Sequence, residues 1–296
     1  MSRKILPAKP TVIYTGRDRQ IHEALRLTPL DAQQLLKLSA TFERSFTTDR
    51  KVRERMQEHQ AAGWTTTRLY ATTGAGQLNY YQLSQDGFRL LAGPHAALPP
   101  RSFFREVSPA LQRHTRHVAD VLVHTTVHAH RLGLPIIEQL GENQTILSLA
   151  NRSLKPDSSL ELSTPEGVFR FYDEIDEATE PIASNRQREC LEAKIRFHED
   201  YQNATGERYR VRVFFAKPGP RMHQFLRLAA QHGARQRTIF YAVLLDQYLA
   251  HGAPLSSPIF LDHFGRLRSL VPAPSPTYRA TLPNFAEMLA EPVGVW

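Results

Sequence analysis

Apolar positions along this chain recur with two periods, a helical one in the first half and a mostly alternating one in the second. Helical spacing runs from about Asp18 to Leu27. A second helix is predicted to start at Thr28-Pro29-Leu30-Asp31, with Thr28 as cap, Pro29 in the first turn and Leu30, Leu35, Leu36 and Leu38 facing inward. After Phe42 to Phe46, Thr47-Thr48-Asp49 opens a third helix that Gly63 ends. Two strands follow, Thr65 to Thr72 and Leu78 to Leu83, with Thr73-Gly74-Ala75-Gly76 as the tight turn between them. A short helix after Ser84 closes this run. The Pro-rich break from Gly93-Pro94 to Pro99-Pro100 separates it from a long helix over Ser108 to Leu132.

Beyond Gly133-Leu134-Pro135 a short first helix is expected, with Glu138 and Glu142 on it or just beyond. Two antiparallel strands then meet at Thr164-Pro165-Glu166-Gly167, the second running through Phe169 to Asp176. From about Asn185 to Tyr201 the period is helical again. Cys190, Leu191, Phe197 and Tyr201 share one face; Glu189, Glu192, Arg196, Glu199 and Asp200 share the other. Lys194 falls within the apolar face, where an ammonium needs a partner or a long reach to water. A strand over Tyr209 to Ala216, a helix over Pro220 to His232 and a strand over Thr238 to Leu245 give a βαβ rhythm, hence a mixed sheet with helices on its faces. Pro258 to Leu270 reads as an edge hairpin turning at Phe264-Gly265-Arg266. From Val271 onward, Pro272, Pro274 and Pro276 suggest a loosely attached strap.

Charge divides the chain. The net charge is +8, and Met1 to Leu134 holds 19 Lys+Arg against 10 Asp+Glu while the remainder holds 18 against 19. A phosphate-rich partner would meet the first part. The longest apolar runs, such as Ile239 to Leu245, are strand-sized, and Met1-Ser2-Arg3-Lys4 lacks a signal-peptide pattern, so a cytoplasmic protein without a membrane partner is expected. The single cysteine, Cys190, excludes an internal disulfide and a multi-cysteine zinc site, and reads as a core residue. His124 and His128 have the four-residue spacing of two imidazoles on one metal, but no adjacent glutamate or cysteine completes such a site, so satisfied helical histidines are the preferred reading.

Two groups of residues carry candidate chemistry. On the strand ending at Asp176, alternation puts Glu174 and Asp176 on one face with Arg170 and Tyr172, and Asp157 lies one strand over. Clustered carboxylates repel unless a cation sits between them, and an oxygen-only set suits Mg²⁺ or Mn²⁺. Metal-dependent phosphodiester cleavage uses such sets. In the first half, helices followed by a two-stranded wing have the order of a winged helix-turn-helix. The helix from Asp49 would then enter the major groove of double-stranded DNA, with Val52 and Met56 inward, Arg50, Lys51, Arg53 and Arg55 toward phosphates and base edges, and Thr47 and Thr48 as phosphate donors.

Pro156-Asp157, Glu174-x-Asp176 and a following helix with an inward Lys194 resemble a PD-(D/E)XK nuclease core. With the upstream wing, ending Tyr-Tyr-Gln-Leu-Ser-x-Asp-Gly-Phe, the chain resembles the bacterial replication-relaxation family of plasmid and mobile-element proteins. The resemblance implies an α/β (α+β overall) fold: an N-terminal winged helix-turn-helix followed by a restriction-endonuclease-like mixed-sheet domain. It implies a basic arm at 1–17, a DNA-binding domain at 18–100, a connecting helix at 101–134, the nuclease-like domain at 135–271 and a tail at 272–296. Asp157 and Glu174 would be metal ligands with Asp176 assisting, and His117 and Asp120 are the nearest match to the His and Asp of the family's connecting helix. The superfamily pattern has a lysine where Asp176 stands; either Lys194 takes over its role or the core keeps only the shape.

No GxxxxGK[ST] or GxGxxG pattern supports nucleotide hydrolysis, and no relaxase-type tyrosine beside a His-rich motif is present. The preferred expectation is a DNA-binding accessory protein of plasmid or mobile-element replication or mobilisation, partnered by DNA, by a relaxase or replication protein, or by a second copy of itself. A metal-dependent endonuclease with a displaced lysine and a winged-helix repressor are the alternatives.

Overall fold

The computed structural model describes residues 12–71, 78–183, 190–233 and 237–272. The first part opens with α1 (Gly16–Leu27), a two-residue strand β1 (Leu30–Asp31), α2 (Ala32–Leu38) and α3 (Asp49–Ala62). Strands β2 (Thr65–Leu69) and β3 (Asn79–Leu83) and helix α4 (Gln85–Ala92) complete it, and β1, β3 and β2 form a small antiparallel sheet in that order. The tight turn expected at Thr73 to Gly76 lies outside the described residues.

The chain corrects one expectation here. Thr28 does not cap the second helix; Asp31 does, accepting from Gln33 N and Gln34 N while the Gln34 side chain accepts from Asp31 N at 2.8 Å. This reciprocal cap satisfies the first turn three residues later than Thr28 would, and frees Leu30 and Asp31 to pair with Tyr81 and Tyr80.

The long helix α5 (Pro109–Arg131) leads into the larger part. There β4 (Ile136–Leu140) stands where a short helix was expected. Ile136 pairs with Leu162 and Glu138 with Glu161 of β7 at the sheet edge, the register shifting between them at Ile137, so Glu138 is an exposed strand residue. A small hairpin of β5 (Leu147–Leu149) and β6 (Arg152–Leu154) precedes β7 (Ser158–Thr164), β8 (Gly167–Asp176), α6 (Leu191–Thr205), β9 (Arg210–Phe215) and α7 (Arg221–His232). Then come β10 (Phe240–Leu244), α8 (Leu245–Ala250), β11 (Phe260–Asp262) and β12 (Leu267–Arg268). The sheet order is β12-β11-β10-β9-β8-β7-β4, with β8, β9 and β10 parallel and the flanking pairs antiparallel. This is an α/β architecture.

Strand alternation assigns the two faces. Phe171, Ile175, Phe214 and Val243 pack with α5 and α8, whereas Tyr172, Val211, Val213, Phe215 and Ala242 pack with α6 and α7. Helix α5 serves two cores at once: Val118, Val121 and Leu122 press on the large sheet, and Ala119 and Val123 join Leu25, Leu35, Val52 and Met56 of the first part. Gly141 ties the parts together further on, because a Cβ there would lie 1.7 Å from Leu27 O and only glycine permits the approach. Gln144 Nε2 donates to Arg26 O at 2.8 Å beside it.

Two further differences are local. Glu199, expected on the polar face of its helix, is buried and receives Arg237 Nη2 at 3.1 Å, so an ion pair compensates its burial. Val271 belongs to the core, its N–H donating to Leu255 O at 3.1 Å; the rest of the expected strap, beyond Pro272, lies outside the described residues, as do 184–189 at the expected start of the Lys194 helix. No helix among the described residues is long and apolar enough to cross a membrane.

Candidate functional site

The ends of β7 and β8, the first turn of α5 and the start of α6 enclose a cleft of about 670 Å³. Its lining includes His114, Asp157, Glu174, Asp176, Glu180 and Lys194. Asp157 precedes β7, where its backbone N–H donates to Asp173 O and its Oδ2 accepts from Ile175 N at 2.6 Å. Those two bonds fix its carboxylate at the strand ends and leave Oδ1 toward the cleft, 3.1 Å from His114 Nε2.

Glu174, on the α6 side of β8, is 5 % exposed. Lys194, reaching in from the first turns of α6, donates to Glu174 Oε2 at 2.9 Å and lies 3.3 Å from Glu180 Oε2. Glu174 Oε1 is buried and finds no partner among the described residues. Burial raises the Glu174 carboxyl, with Lys194 pulling the other way and Asp157 adding to the rise. Burial alone would lower Lys194, but Glu174, Glu180 and Asp157 outweigh it and hold the ammonium above its ordinary range.

Asp176 shares the face of Glu174 but is engaged by Arg221, whose Nη2 donates to Oδ1 at 2.8 Å and whose Nε donates to Oδ2. On the other side of the cleft, His114 Nε2 is 3.6 Å from Glu142 Oε1, and Glu142 Oε2 accepts from Thr115 Oγ1 at 3.1 Å. One atom each of His114, Glu142 and Asp157 lie within 4.8 Å of one another. Burial works against a charged His114, but the Asp157 hydrogen bond and the Asp157, Glu142 and Glu177 charges raise it to about 9. Glu177 itself binds Arg113 at 2.6 Å and His117. Asp120 lies away from the cleft, accepting from Gln34 Nε2 at 2.8 Å.

Sequence reasoning placed Asp157, Glu174, Asp176 and Lys194 in one region, and all four line the cleft. It did not single out His114. The available signal was weak: a histidine in the first turns of a helix of unknown orientation, 43 residues from Asp157. Nor did it pair Asp173 with Arg212, one of two alternating arginines on its strand, which is 1 % exposed and holds Asp173 through Nε–Oδ1 at 2.6 Å and Nη2–Oδ2 at 2.7 Å on the α5 side of the sheet. The His124/His128 pair is buried against Tyr248, and Lys37 Nζ donates to His124 Nδ1 at 2.7 Å, which occupies that lone pair.

The basic helix α3 presents Arg50, Lys51 and Arg53 to solvent, each in a pair within the helix to Glu54 or Asp49. Thr47 and Thr48 are exposed, and Thr48 Oγ1 caps the helix by accepting from Lys51 N at 3.3 Å. Arg55 turns inward instead, its guanidinium donating to the buried Asp18 and to Ile13 O.

A family model described as Replication-relaxation matches residues 22–215, a span from α1 to the end of β9 that includes the cleft acids, His114, Lys194 and α3. No curated protein and no solved structure matches the chain.

Proposed function

This chain belongs to the replication-relaxation family, and from that premise we propose that it binds double-stranded DNA through residues 18–100 and cleaves a phosphodiester in the Asp157–Glu174–Lys194 cleft with a divalent ion. The observation that carries the cleavage reading is the 2.9 Å contact between Lys194 and Glu174, which supplies from a helix the lysine that the strand lacks. Three exposed cations on α3 and the basic excess of the first part support the DNA contact, in the manner of a winged helix whose recognition helix is α3.

The residues present fit a divalent metal. Glu174 Oε1 is a buried carboxylate oxygen without a partner among the described residues, and Asp157 Oδ1 faces the same cleft. Asp157 and Glu174 would hold Mg²⁺ or Mn²⁺, with Asp176 behind them in the grip of Arg221. When bound, the ion supplies Lewis-acid polarisation and an activated water. Lys194, kept charged by its acidic neighbours, stabilises negative charge developing on the phosphate rather than accepting a proton. Arg221 holds Asp176 in place through two hydrogen bonds.

A plasmid-relaxation assay with Mg²⁺ or Mn²⁺ tests this, run beside Asp157→Ala and Lys194→Ala with a gel shift on the same DNA. Metal-dependent nicking lost in both variants with binding retained is the expected result. Binding without nicking in either metal overturns the cleavage reading. It would favour a second one, a DNA-binding accessory protein of replication or mobilisation, which the carboxylate of Asp176 at the superfamily's lysine position already supports.

A further inference from the structure

We propose that His114, Glu142 and Asp157 form a divalent-metal site with one nitrogen and two carboxylate ligands, selective for a first-row transition ion over Mg²⁺. The three residues come from separate elements: the first turns of α5, the loop after β4 and the segment before β7. One imidazole nitrogen, Nε2, faces both acids, at 3.1 Å from Asp157 Oδ1 and 3.6 Å from Glu142 Oε1. Adjacent ligands at ~2.1 Å around an octahedral ion are separated by ~3 Å, so a contraction from within 4.8 Å, with the proton that Nε2 shares with Asp157 released to solvent, brings all three atoms onto one ion.

Independent support comes from Glu174. Its side chain is 94 % buried, lines the same cleft as His114 and Asp157, and leaves Oε1 without a partner among the described residues. A buried carboxylate oxygen without a partner is a ready ligand for a cation, and the cleft that Glu174 lines is the one that His114 and Asp157 also line. The supporting contacts also suit a metal. Thr115 Oγ1 donates to the far oxygen of Glu142 and Ile175 N to the far oxygen of Asp157, so each carboxylate is oriented by one oxygen and turns the other toward His114 Nε2.

The nitrogen decides the selectivity. Mg²⁺ prefers an all-oxygen shell and gives up water reluctantly, whereas imidazole affinity rises along the first-row divalent series from Mn²⁺ through Co²⁺. The site therefore takes a transition ion where Asp157 and Glu174 alone would accept Mg²⁺. That the ion serves phosphodiester chemistry rests on the function proposed above; that it binds to His114 does not.

Titration calorimetry with CoCl₂ and with MgCl₂, on the full chain and on His114→Ala and Glu142→Gln, tests the site, with ¹H NMR of the Co²⁺ form for a hyperfine-shifted imidazole proton. The expected result is Co²⁺ binding at least tenfold tighter than Mg²⁺, falling at least tenfold in both variants. In His114→Ala the shifted proton disappears while Mg²⁺ affinity is kept. Equal affinity for the two ions, or Co²⁺ affinity unchanged in His114→Ala, overturns the proposal. Should His114→Ala melt below the assay temperature, His114→Gln, which can still donate to Asp157, replaces it. The two readings fail separately. Co²⁺ selectivity through His114 without nicking removes the cleavage reading and leaves the site, whereas Mg²⁺-dependent nicking with no role for His114 in Co²⁺ binding removes the site and leaves cleavage.

Discussion

Asp173 and Arg212 form a deeply buried ion pair, with two hydrogen bonds and both side chains 1 % exposed. The rings of Phe171 and Phe214 flank the guanidinium. Removing one partner strands a charge in the core, so Arg212→Ala is expected to cost about 3–5 kcal/mol in a urea unfolding experiment, whereas Asp173→Leu/Arg212→Met is expected to recover most of that loss. A double variant as unstable as the single one would show that the pair itself, not the orphaned charge, matters. Gly141→Ala makes a second test: its Cβ would strike Leu27 O, and a loss of about 1–3 kcal/mol is expected where an exposed glycine would cost far less. Residues like these separate what the sequence could tell from what it could not. Strand alternation alone put Glu174 and Asp176 on one face, and helical spacing turned Lys194 inward. The partners of Asp173 and Asp157 lie on elements 39 and 43 residues away, and no local pattern carries a contact of that range.

Helix α3 was legible as an element from its threonine cap, its inward Val52 and Met56 and its terminal Gly63, which adopts the left-handed conformation at φ 82°. The periodicity did not distinguish Arg55 from its neighbours, because Asp18 reaches it from α1. The distinction separates binding from stability. Arg50→Ala/Arg53→Ala is expected to weaken DNA binding and flatten the salt dependence by about 2 units of log slope with the melting temperature unchanged. Arg55→Ala is expected to lower the melting temperature, because it exposes no new phosphate contact and leaves Asp18 buried. Gel shifts across a salt series, beside thermal melts, read both; an unchanged salt slope in the double variant would remove α3 from the interface. Strand β4 and the two-residue β1 were misread for a common reason. Both are short edge segments whose conformation is set by the strand they pair with, so their own residues say little.

At the scale of the whole molecule, the mixed sheet and its crossover helices were legible because the strand–helix–strand order through β8, α6, β9, α7 and β10 leaves few topologies open. The shared role of α5 was not, since its stripes toward two cores merge into one broad apolar face. That sharing makes the parts one cooperative unit, and a single thermal transition is expected; two resolved transitions by calorimetry would contradict it. Acid sensitivity belongs to the same scale. Burial lowers His22, His124 and His198 to about 3 and His128 to about 4, aided at His124, His128 and His198 by Lys37, Arg131 and Lys194 respectively. Below about 6.5 the unfolded chain takes up protons that these native imidazoles refuse, so stability is expected to fall steadily from about pH 6.5 to 4. His114, raised to about 9, acts oppositely: its contribution is complete below about 6.5 and is lost as the pH rises through about 9. Melting temperatures across a pH series would show a maximum near neutrality, and a flat profile between pH 6.5 and 4 would contradict the neutral, buried state of the four histidines. Helix α5 also has a consequence for synthesis. Its first-part face is covered as soon as it leaves the ribosome, but its other face waits for the sheet and finally for Leu270 and Val271, about 140 residues later. At cellular elongation rates that interval is on the order of ten seconds, during which Val118, Val121 and Leu122 form an open apolar stripe on an otherwise folded nascent chain. A ribosome-associated chaperone that recognises short aliphatic stretches would find a target there until the sheet closes over it.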